Sequence, residues 1–317
     1  MIGEFDLIAR YFAPLAGAAG LGLVDDAACL IPPDGKDLII SKDMLVAGVH
    51  FFADDLSRSL AFKALSVNIS DLAAKGASPY AYFLGLSIPV GTSEKWFEDF
   101  AAGLADAQAH YGIELAGGDT TSTGGPITIS ITAIGHVAHS AMVRRNGAAV
   151  ADRIYVTGTL GDAAFGLCGL RGECAKHDDL LERYHRPVAR HQFGQGLSGL
   201  ASASADVSDG LVADLGHICR ASGVGALLKE AAFPLSPNVE RLIRENQSLS
   251  PLVWSGGDDY EIVFTAPYEG EETLMEFAKT VGVRVTEIGE IVASSEIELV
   301  DSSGKLVQIK SRGFTHF

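Results

Sequence analysis

Apolar residues recur along this chain at two spacings, one helical and one alternating. The longest helical pattern covers residues 61–76. At about 100° per residue, Phe62, Leu65, Ile69 and Leu72 take one broad side, while Leu60 and Val67 fall on another. Ser57 can cap the start, alanine and leucine favour the interior, and Gly76 can stop the run. A helix apolar on more than one side is predicted to be buried. Asp71 nevertheless lies between Leu60 and Val67 on one flank and Asn68 on the other. A carboxylate does not enter such a place unpaired. Two readings are open: an ion pair with Lys75 one turn on, or a place in a metal site.

Phe5, Ile8, Ala9 and Phe12 predict a short amphipathic helix. Residues 28–31 and 38–40 read as strands around a turn at 32–35, the second running directly into Ser41, Lys42 and Asp43. A strand is predicted over 82–89 and a helix over 93–112, with Trp96, Phe97, Phe100 and Leu104 inward. Residues 113–116 form a short extended run ending at Gly117, Gly118 and Asp119. Residues 127–137 alternate, with Ile127, Ile129, Ile131 and Ala133 on one face and Thr128, Ser130 and Thr132 on the other. The small, polar stretch 146–152 marks a boundary, giving domains 1–148 and 149–317. Beyond it come a strand at 154–157, a helix to about residue 170 and a charged connector over 171–187. A further helix opens after Asp209 with Leu211, Leu215 and Ile218 at helical spacing and ends at Gly223. A strand at 260–265, a helix at 272–282 and strands at 283–288 and 297–300 complete an α/β (α+β-like) pattern.

Composition narrows what such a fold does. At 317 residues the chain is long enough for two domains. A net charge of −16 argues against a nucleic-acid surface, which needs a basic footprint. It would also repel an anionic substrate unless metal ions or local basic groups reverse the field. Cys29, Cys168, Cys174 and Cys219 form no Cys-x-x-Cys pair, so a zinc or redox motif has no support, and reduced cysteines are expected. The first residues carry acids and no basic run, and the apolar stretch 12–24 is too short to span a bilayer. A cytoplasmic protein with no membrane partner is expected.

One chemical pattern recurs: a strand-like run is followed by an aspartate with small neighbours. It occurs at Asp25–Asp26, Asp43, Asp119, Asp206/Asp209 and Asp258–Asp259. Each alone is ordinary turn or cap chemistry. Together they suggest carboxylates gathered at one sheet edge, where ligands bind and where Mg²⁺ shares oxygen ligands with phosphates. Ser41, Thr120 and Ser208 add hydroxyls. The helix starts after Gly161 and Ser208 offer N–H groups to phosphate. Arg144 and Arg145 form a tandem basic pair, read either as a phosphate clamp or as a solvated surface pair. No Walker A loop, Gly-x-Ser-x-Gly elbow or His-Glu-x-x-His helix occurs.

The motifs Asp25-Asp-Ala-Ala28, Ser41-Lys-Asp-Met-Leu-Val-Ala-Gly-Val-His-Phe51 and Lys63-Ala-Leu-Ser-Val-Asn-Ile-Ser-Asp-Leu-Ala-Ala74 are specific in combination. So are Gly117-Gly-Asp-Thr-Thr121, Tyr155-Val-Thr-Gly-Thr-Leu-Gly-Asp-Ala163, Asp206-Val-Ser-Asp-Gly-Leu211, Ser255-Gly-Gly-Asp-Asp-Tyr-Glu261 and Gly313-Phe-Thr-His-Phe317. In this order they resemble the thiamine-monophosphate kinase family, of the aminoimidazole ribonucleotide synthetase-like superfamily. The resemblance implies a two-domain fold, with an N-terminal ATP- and Mg-binding sheet that forms a barrel in a homodimer and a C-terminal α/β domain that closes the active site. It implies ATP-dependent conversion of thiamine monophosphate to thiamine diphosphate by direct in-line transfer. By motif position, Asp26, Ser41, Lys42, Asp43, Asp71, Asp119, Asp206 and Asp209 would hold Mg²⁺, with Asp71 and Asp209 catalytic. Gly118, Asp119, Arg145 and Ser208 would contact ATP, and His50, Asp258 and Phe314 the thiamine substrate. The chain departs from the family pattern at Lys42, usually threonine, whose backbone carbonyl could still serve. It departs also at Val24, usually glycine, at Asp258, usually glutamate, and at Lys75, commonly methionine. Two other readings remain: another ATP-using member of the superfamily with a different acceptor, and a non-catalytic Ca²⁺-stabilised binding protein. The second lacks an Asp-x-Asp-x-Asp-Gly loop to support it.

Overall fold

The alternating run around Ile129 and Ile131 becomes the strand on which a four-stranded sheet is built. In the computed structural model residues 3–315 are described; the last two residues of the terminal motif, His316 and Phe317, lie outside the described residues. The chain divides into two compact units, residues 1–72 with 77–140, and residues 73–76 with 141–317.

The first unit contains α1 (Glu4–Leu7), β1 (Lys36–Val46), α2 (Ser57–Ala74), β2 (Ser78–Pro89), α3 (Glu94–Tyr111), β3 (Glu114–Thr123) and β4 (Thr128–Ala138). The strand order is β1-β4-β2-β3. Strand β4 runs antiparallel to both β1 and β2, and β3 is parallel to β2. Helix α2 is buried continuously from Leu60 to Ser70, as its two-sided apolar pattern predicts. Helix α3 is capped by Ser93, whose hydroxyl accepts from the Trp96 N–H, and stopped by Gly112 in the left-handed region. Ser66 and Tyr111 share a buried hydrogen bond of 2.8 Å, and Arg58 pairs with Asp106 at the surface, tying α3 to α2.

Three strand expectations change. Residues 28–31 form no strand: Pro32 and Pro33 have no N–H to donate, and the Cys29 N–H goes to Ala19 O. Strand β1 spans eleven residues rather than three, because β4 pairs with it in unbroken register from Lys36↔Ala138 to Val46↔Thr128. Likewise β3 continues through Gly117, Gly118 and Asp119 to Thr123. Asp43 and Asp119 therefore lie inside strands, not beyond their ends.

The second unit contains β5 (Arg153–Thr157), α4 (Asp162–Leu170), α5 (Asp178–His185), α6 (His191–Gly194), β6 (Ala203–Asp206), α7 (Leu211–Ser222), β7 (Gly225–Lys229), α8 (Pro237–Glu245), α9 (Leu252–Ser255), β8 (Ile262–Ala266), α10 (Glu271–Thr280), β9 (Val285–Val292) and β10 (Ile297–Val300). Its sheet, ordered β10-β7-β9-β5-β8-β6, is mixed: β10 and β7 are parallel and the other pairs antiparallel. Val156, Phe165, Leu211, Leu215, Ile218 and Ile288 belong to one core cluster. Tyr155, Phe193 and Phe264 belong to another, which includes Ala73 and Ala74 of the last turn of α2. A fully buried side chain of this size contributes about 1.5–3 kcal/mol. The expected connector over 171–187 holds α5, signalled by Asp178 and Asp179 in its first turn and by Leu180 and Tyr184 four apart on its buried side. Among the described residues no helix is long and apolar enough to cross a membrane.

Candidate active site

Side-chain alternation on β1 puts Ser41 and Asp43 on the face shared by buried Ile39 and Leu45. Asn68 and Asp71 lie one turn apart on α2. The two pairs meet. The Ser41 hydroxyl donates to Asp71 Oδ2. The Asp43 N–H donates to Asn68 Oδ1 at 3.0 Å, and Asn68 Nδ2 donates back to Ala64 O at 3.0 Å. Fully buried Asn68 is thus a rigid bridge from helix to strand. Lys75, the other partner open to Asp71, extends its Nζ to Ser204 O at 2.5 Å.

The register distributes the remaining predicted residues. Asp43 shares a row with Ile131, Leu84 and Gly118. A Cβ on Gly118 would collide with the Leu84 carbonyl oxygen, so only glycine fits there. Asp119 falls in the next row, with Gly85, Ser130 and Met44, and alternation sets it on the face opposite Asp43. Lys42 is on that opposite face too, its Nζ bonded to Ser130 Oγ at 2.5 Å. It offers the Ser41–Asp71 side only its backbone. Asp26 sits on an exposed bend, its N–H donated to Asp25 Oδ1. His50 accepts the Val46 N–H on Nδ1 at 3.0 Å, which places the proton of the neutral ring on Nε2. Among the described residues no three histidine, cysteine or acidic side chains gather closely enough to hold a metal ion.

In the second unit β6 ends at buried Asp206, and residues 207–210 lead into α7. The N–H groups of Ser208, Asp209 and Gly210 all donate to Asp214 Oδ2, at 3.0, 3.0 and 3.2 Å. Burial, followed by the charge of Asp209, pushes the Asp214 carboxyl up to about 7 against those three donors. At α4, Asp259 accepts from the Gly161 N–H at 2.8 Å and the Ala163 N–H at 3.4 Å; complete burial pushes its carboxyl well above the usual range. The helix starts expected to donate to phosphate thus have these N–H groups occupied by carboxylates of the chain itself.

Four predicted residues do converge here. Asp258 N–H donates to Ser208 O at 2.9 Å and Phe314 N–H to Asp209 O at 3.0 Å. Gly257 backs onto the Ser208 carbonyl, leaving no room for a Cβ. Asp258 and Tyr260 both have left-handed backbones, φ 69° and 50°, and the Tyr260 hydroxyl donates to Asp258 Oδ1 at 3.0 Å. Strain of this kind persists only where surrounding bonds enforce it. Arg144 and Arg145 are anchored through their carbonyls, by the Ser204 N–H and the Ser222 hydroxyl, and their side chains are exposed. The Ser222 bond places Arg145 beside the end of α7, where burial lowers the His217 pKa and the Arg145 and Arg220 charges lower it further. Asp214 and Tyr260 had no site role in the sequence pattern, and Asp259 stood only among the recurring acidic turns. An aspartate in the first turns of a mostly apolar helix was the available signal for Asp214.

The family signature described as AIR synthase related protein, N-terminal domain, matches residues 24–137, and the corresponding C-terminal domain matches residues 150–302. A thiamine-monophosphate kinase from Escherichia coli is 41% identical over 99% of this chain and 98% of its own length. The chain belongs to the thiamine-monophosphate kinase family. Within this family, the crystal structure of the thiamine-monophosphate kinase from Stenotrophomonas maltophilia superposes with a TM-score of 0.86 at 36% identity, over 96% of this chain and 98% of that one. A second solved structure, AaThiL complexed with AMPPCP and TMP, has a TM-score of 0.80 at 31% identity, over 99% of this chain and 97% of that one. The two-domain α/β fold with mixed sheets is the fold of this family.

Proposed function

We propose that the protein transfers a phosphoryl group from ATP to thiamine monophosphate, forming thiamine diphosphate. The observation that carries this is the near-full-length likeness to thiamine-monophosphate kinases, one related structure being described as a complex with AMPPCP and TMP. The acceptor is a phosphate monoester with a second pKa of about 6, so its attacking oxygen is already deprotonated at neutral pH. In-line transfer then needs neither a general base nor a nucleophilic side chain. The chain's task is to bring two polyanions together and align them.

The donors on the Ser41–Asp71 side suit Mg²⁺: all are oxygen, and Mg²⁺ takes one or two carboxylates while keeping waters and substrate phosphates. Asp26, Ser41, the Lys42 carbonyl, Asp43, Asp71, Asp119, Asp206 and Asp209 are the residues proposed to hold several such ions. When bound, they neutralise phosphate charge and template the two substrates. Asn68 fixes the Asp43 backbone, and the Ser41 hydroxyl orients the Asp71 carboxylate. Gly118, Asp119, Arg145 and Ser208 are proposed to contact ATP. His50, through its Nε2–H, Asp258, oriented by Tyr260, and Phe314 are proposed to contact thiamine monophosphate. Domain boundaries at 1–148 and 149–317 and a cytoplasmic setting belong to the same reading.

Purified protein with ATP, Mg²⁺ and thiamine monophosphate is expected to yield thiamine diphosphate, and excess EDTA to abolish the product. Formation of product only from a different acceptor phosphate would overturn the reading. A homodimer is also proposed. Ile40 and Met44, on the β1 face opposite Ile39 and Leu45, are 63% and 52% exposed, which supports burial of the β1 side of that face against a second copy, with Asp119 on the far edge strand β3. Sedimentation equilibrium is expected to give a dimer that Met44→Asp shifts toward monomer; a monomeric unsubstituted protein contradicts it.

A further inference from the structure

Resting on the proposed function, we infer that Asp214 is a positioning residue that sets the backbone orientation on which the thiamine-monophosphate side of the site depends. Three consecutive N–H groups, those of Ser208, Asp209 and Gly210, converge on one oxygen, Asp214 Oδ2. Asp214 is 2% exposed and belongs to the opening of α7, where its own N–H donates to Gly210 O at 3.0 Å. Loop and helix are therefore bound to each other in both directions.

The consequence lies in the peptide planes. In a trans peptide the N–H and the preceding C=O point in opposite directions. With the Asp209 N–H directed at Asp214, the Ser208 carbonyl must face the other way, and there it accepts the Asp258 N–H at 2.9 Å. With the Gly210 N–H directed at Asp214, the Asp209 carbonyl faces away as well, and it accepts the Phe314 N–H at 3.0 Å. One carboxylate oxygen thereby orients both carbonyls that hold Asp258 and Phe314, and leaves the side chains of Ser208 and Asp209 outside the hydrogen-bonded ring. The same carboxylate fills a helix start that would otherwise attract an anion, so a substrate phosphate is kept from a competing position.

The test compares Asp214→Ala, which removes the acceptor, with Asp214→Asn, which keeps an oxygen in the same place. The readouts are thiamine-monophosphate affinity by calorimetry without ATP or Mg²⁺, and amide exchange at Ser208, Asp209 and Gly210. Asp214→Ala is expected to weaken binding by about tenfold or more and to speed exchange at those amides by a similar factor, the cost of unpaired buried donors. Asp214→Asn is expected to restore binding to within about threefold of the unsubstituted protein, while Asp214→Leu, of similar volume but with no acceptor, is expected to fail like alanine, which separates the lost hydrogen bonds from lost packing. Asp214→Ala that binds like the unsubstituted protein, or Asp214→Asn that fails as badly as alanine, overturns the inference. If the alanine variant does not fold, the unsubstituted protein decides: its Asp209 and Gly210 amides must be protected, and fast exchange there overturns the anchor. An unsubstituted protein that does not convert thiamine monophosphate sinks the functional reading instead, whatever the amides do.

Discussion

Asp71→Asn is expected to lower the turnover of thiamine monophosphate by about 10³-fold at saturating ATP, Mg²⁺ and acceptor, equivalent to about 4 kcal/mol of transition-state stabilisation. The substitution is nearly isosteric. The asparagine oxygen can still accept the Ser41 hydroxyl, and the Asp43–Asn68–Ala64 bridge is untouched. What disappears is one negative charge at the meeting of strand and helix. If that charge serves only local structure, the melting temperature moves and turnover does not. If it holds cations over the transferring phosphoryl group, turnover collapses while the fold persists. Steady-state kinetics beside a thermal melt separates the two, and near-normal turnover would remove Asp71 from the proposed machinery.

The second large effect is on stability. Glu261 is fully buried. Its Oε1 accepts from Arg183 at 2.8 Å and Arg190 at 2.5 Å, and its Oε2 from Arg190 Nε and the Thr157 hydroxyl, both at 2.7 Å. Burial alone would raise its pKa, but the Arg190 hydrogen bonds, the Arg190 and Arg183 charges and the Thr157 hydroxyl outweigh it and hold the carboxyl below its ordinary 4.5. Glu261→Gln leaves two partly buried guanidinium groups without their counter-charge. A loss of about 3–5 kcal/mol is expected, and a fall in melting temperature of roughly 10 °C for a unit of this size. The sign with pH follows from the depressed folded pKa. The contribution is complete above the unfolded value near 4.5 and is lost as pH falls through the lower folded value. The gap between the unsubstituted protein and Glu261→Gln should therefore be wide at neutral pH and close in acid. A variant that melts within about 2 °C of the parent at pH 7 would show that Arg183 and Arg190 relax into solvent at little cost.

These two residues differ in how visible they were. Asp71 was conspicuous in the sequence because α2 is apolar around it, and a carboxylate among Leu60, Val67 and Asn68 needs a reason. Glu261 stood in a recognisable motif with nothing nearby to explain it; Arg190 lies 71 residues away and Thr157 104. The acidic pattern was legible as a set of positions and misleading as a set of places. Asp43 and Asp119 read as strand ends because their apolar runs stop there, yet the ladders continue past them. Asp259 read as turn chemistry and proved to be the buried acceptor at the start of α4.

Local sequence determined what local physics controls: α2 and α3 with the glycines that end them, Gly76 and Gly112 (though Ser57 is the first residue of α2 and not its cap), the alternation of β4, the glycine that ends α7, and which side chains could supply oxygen donors. Tertiary structure alone decided which of those donors meet. Ser41 reaches Asp71 only because β4 extends β1 across residues with no apolar signal of their own. Asp119 turns from Asp43 because register, set by long-range hydrogen bonds, assigns alternate rows to opposite faces. The N–H groups before α7 go to Asp214 rather than to a phosphate because a buried carboxylate and unpaired donors satisfy each other before any ligand arrives.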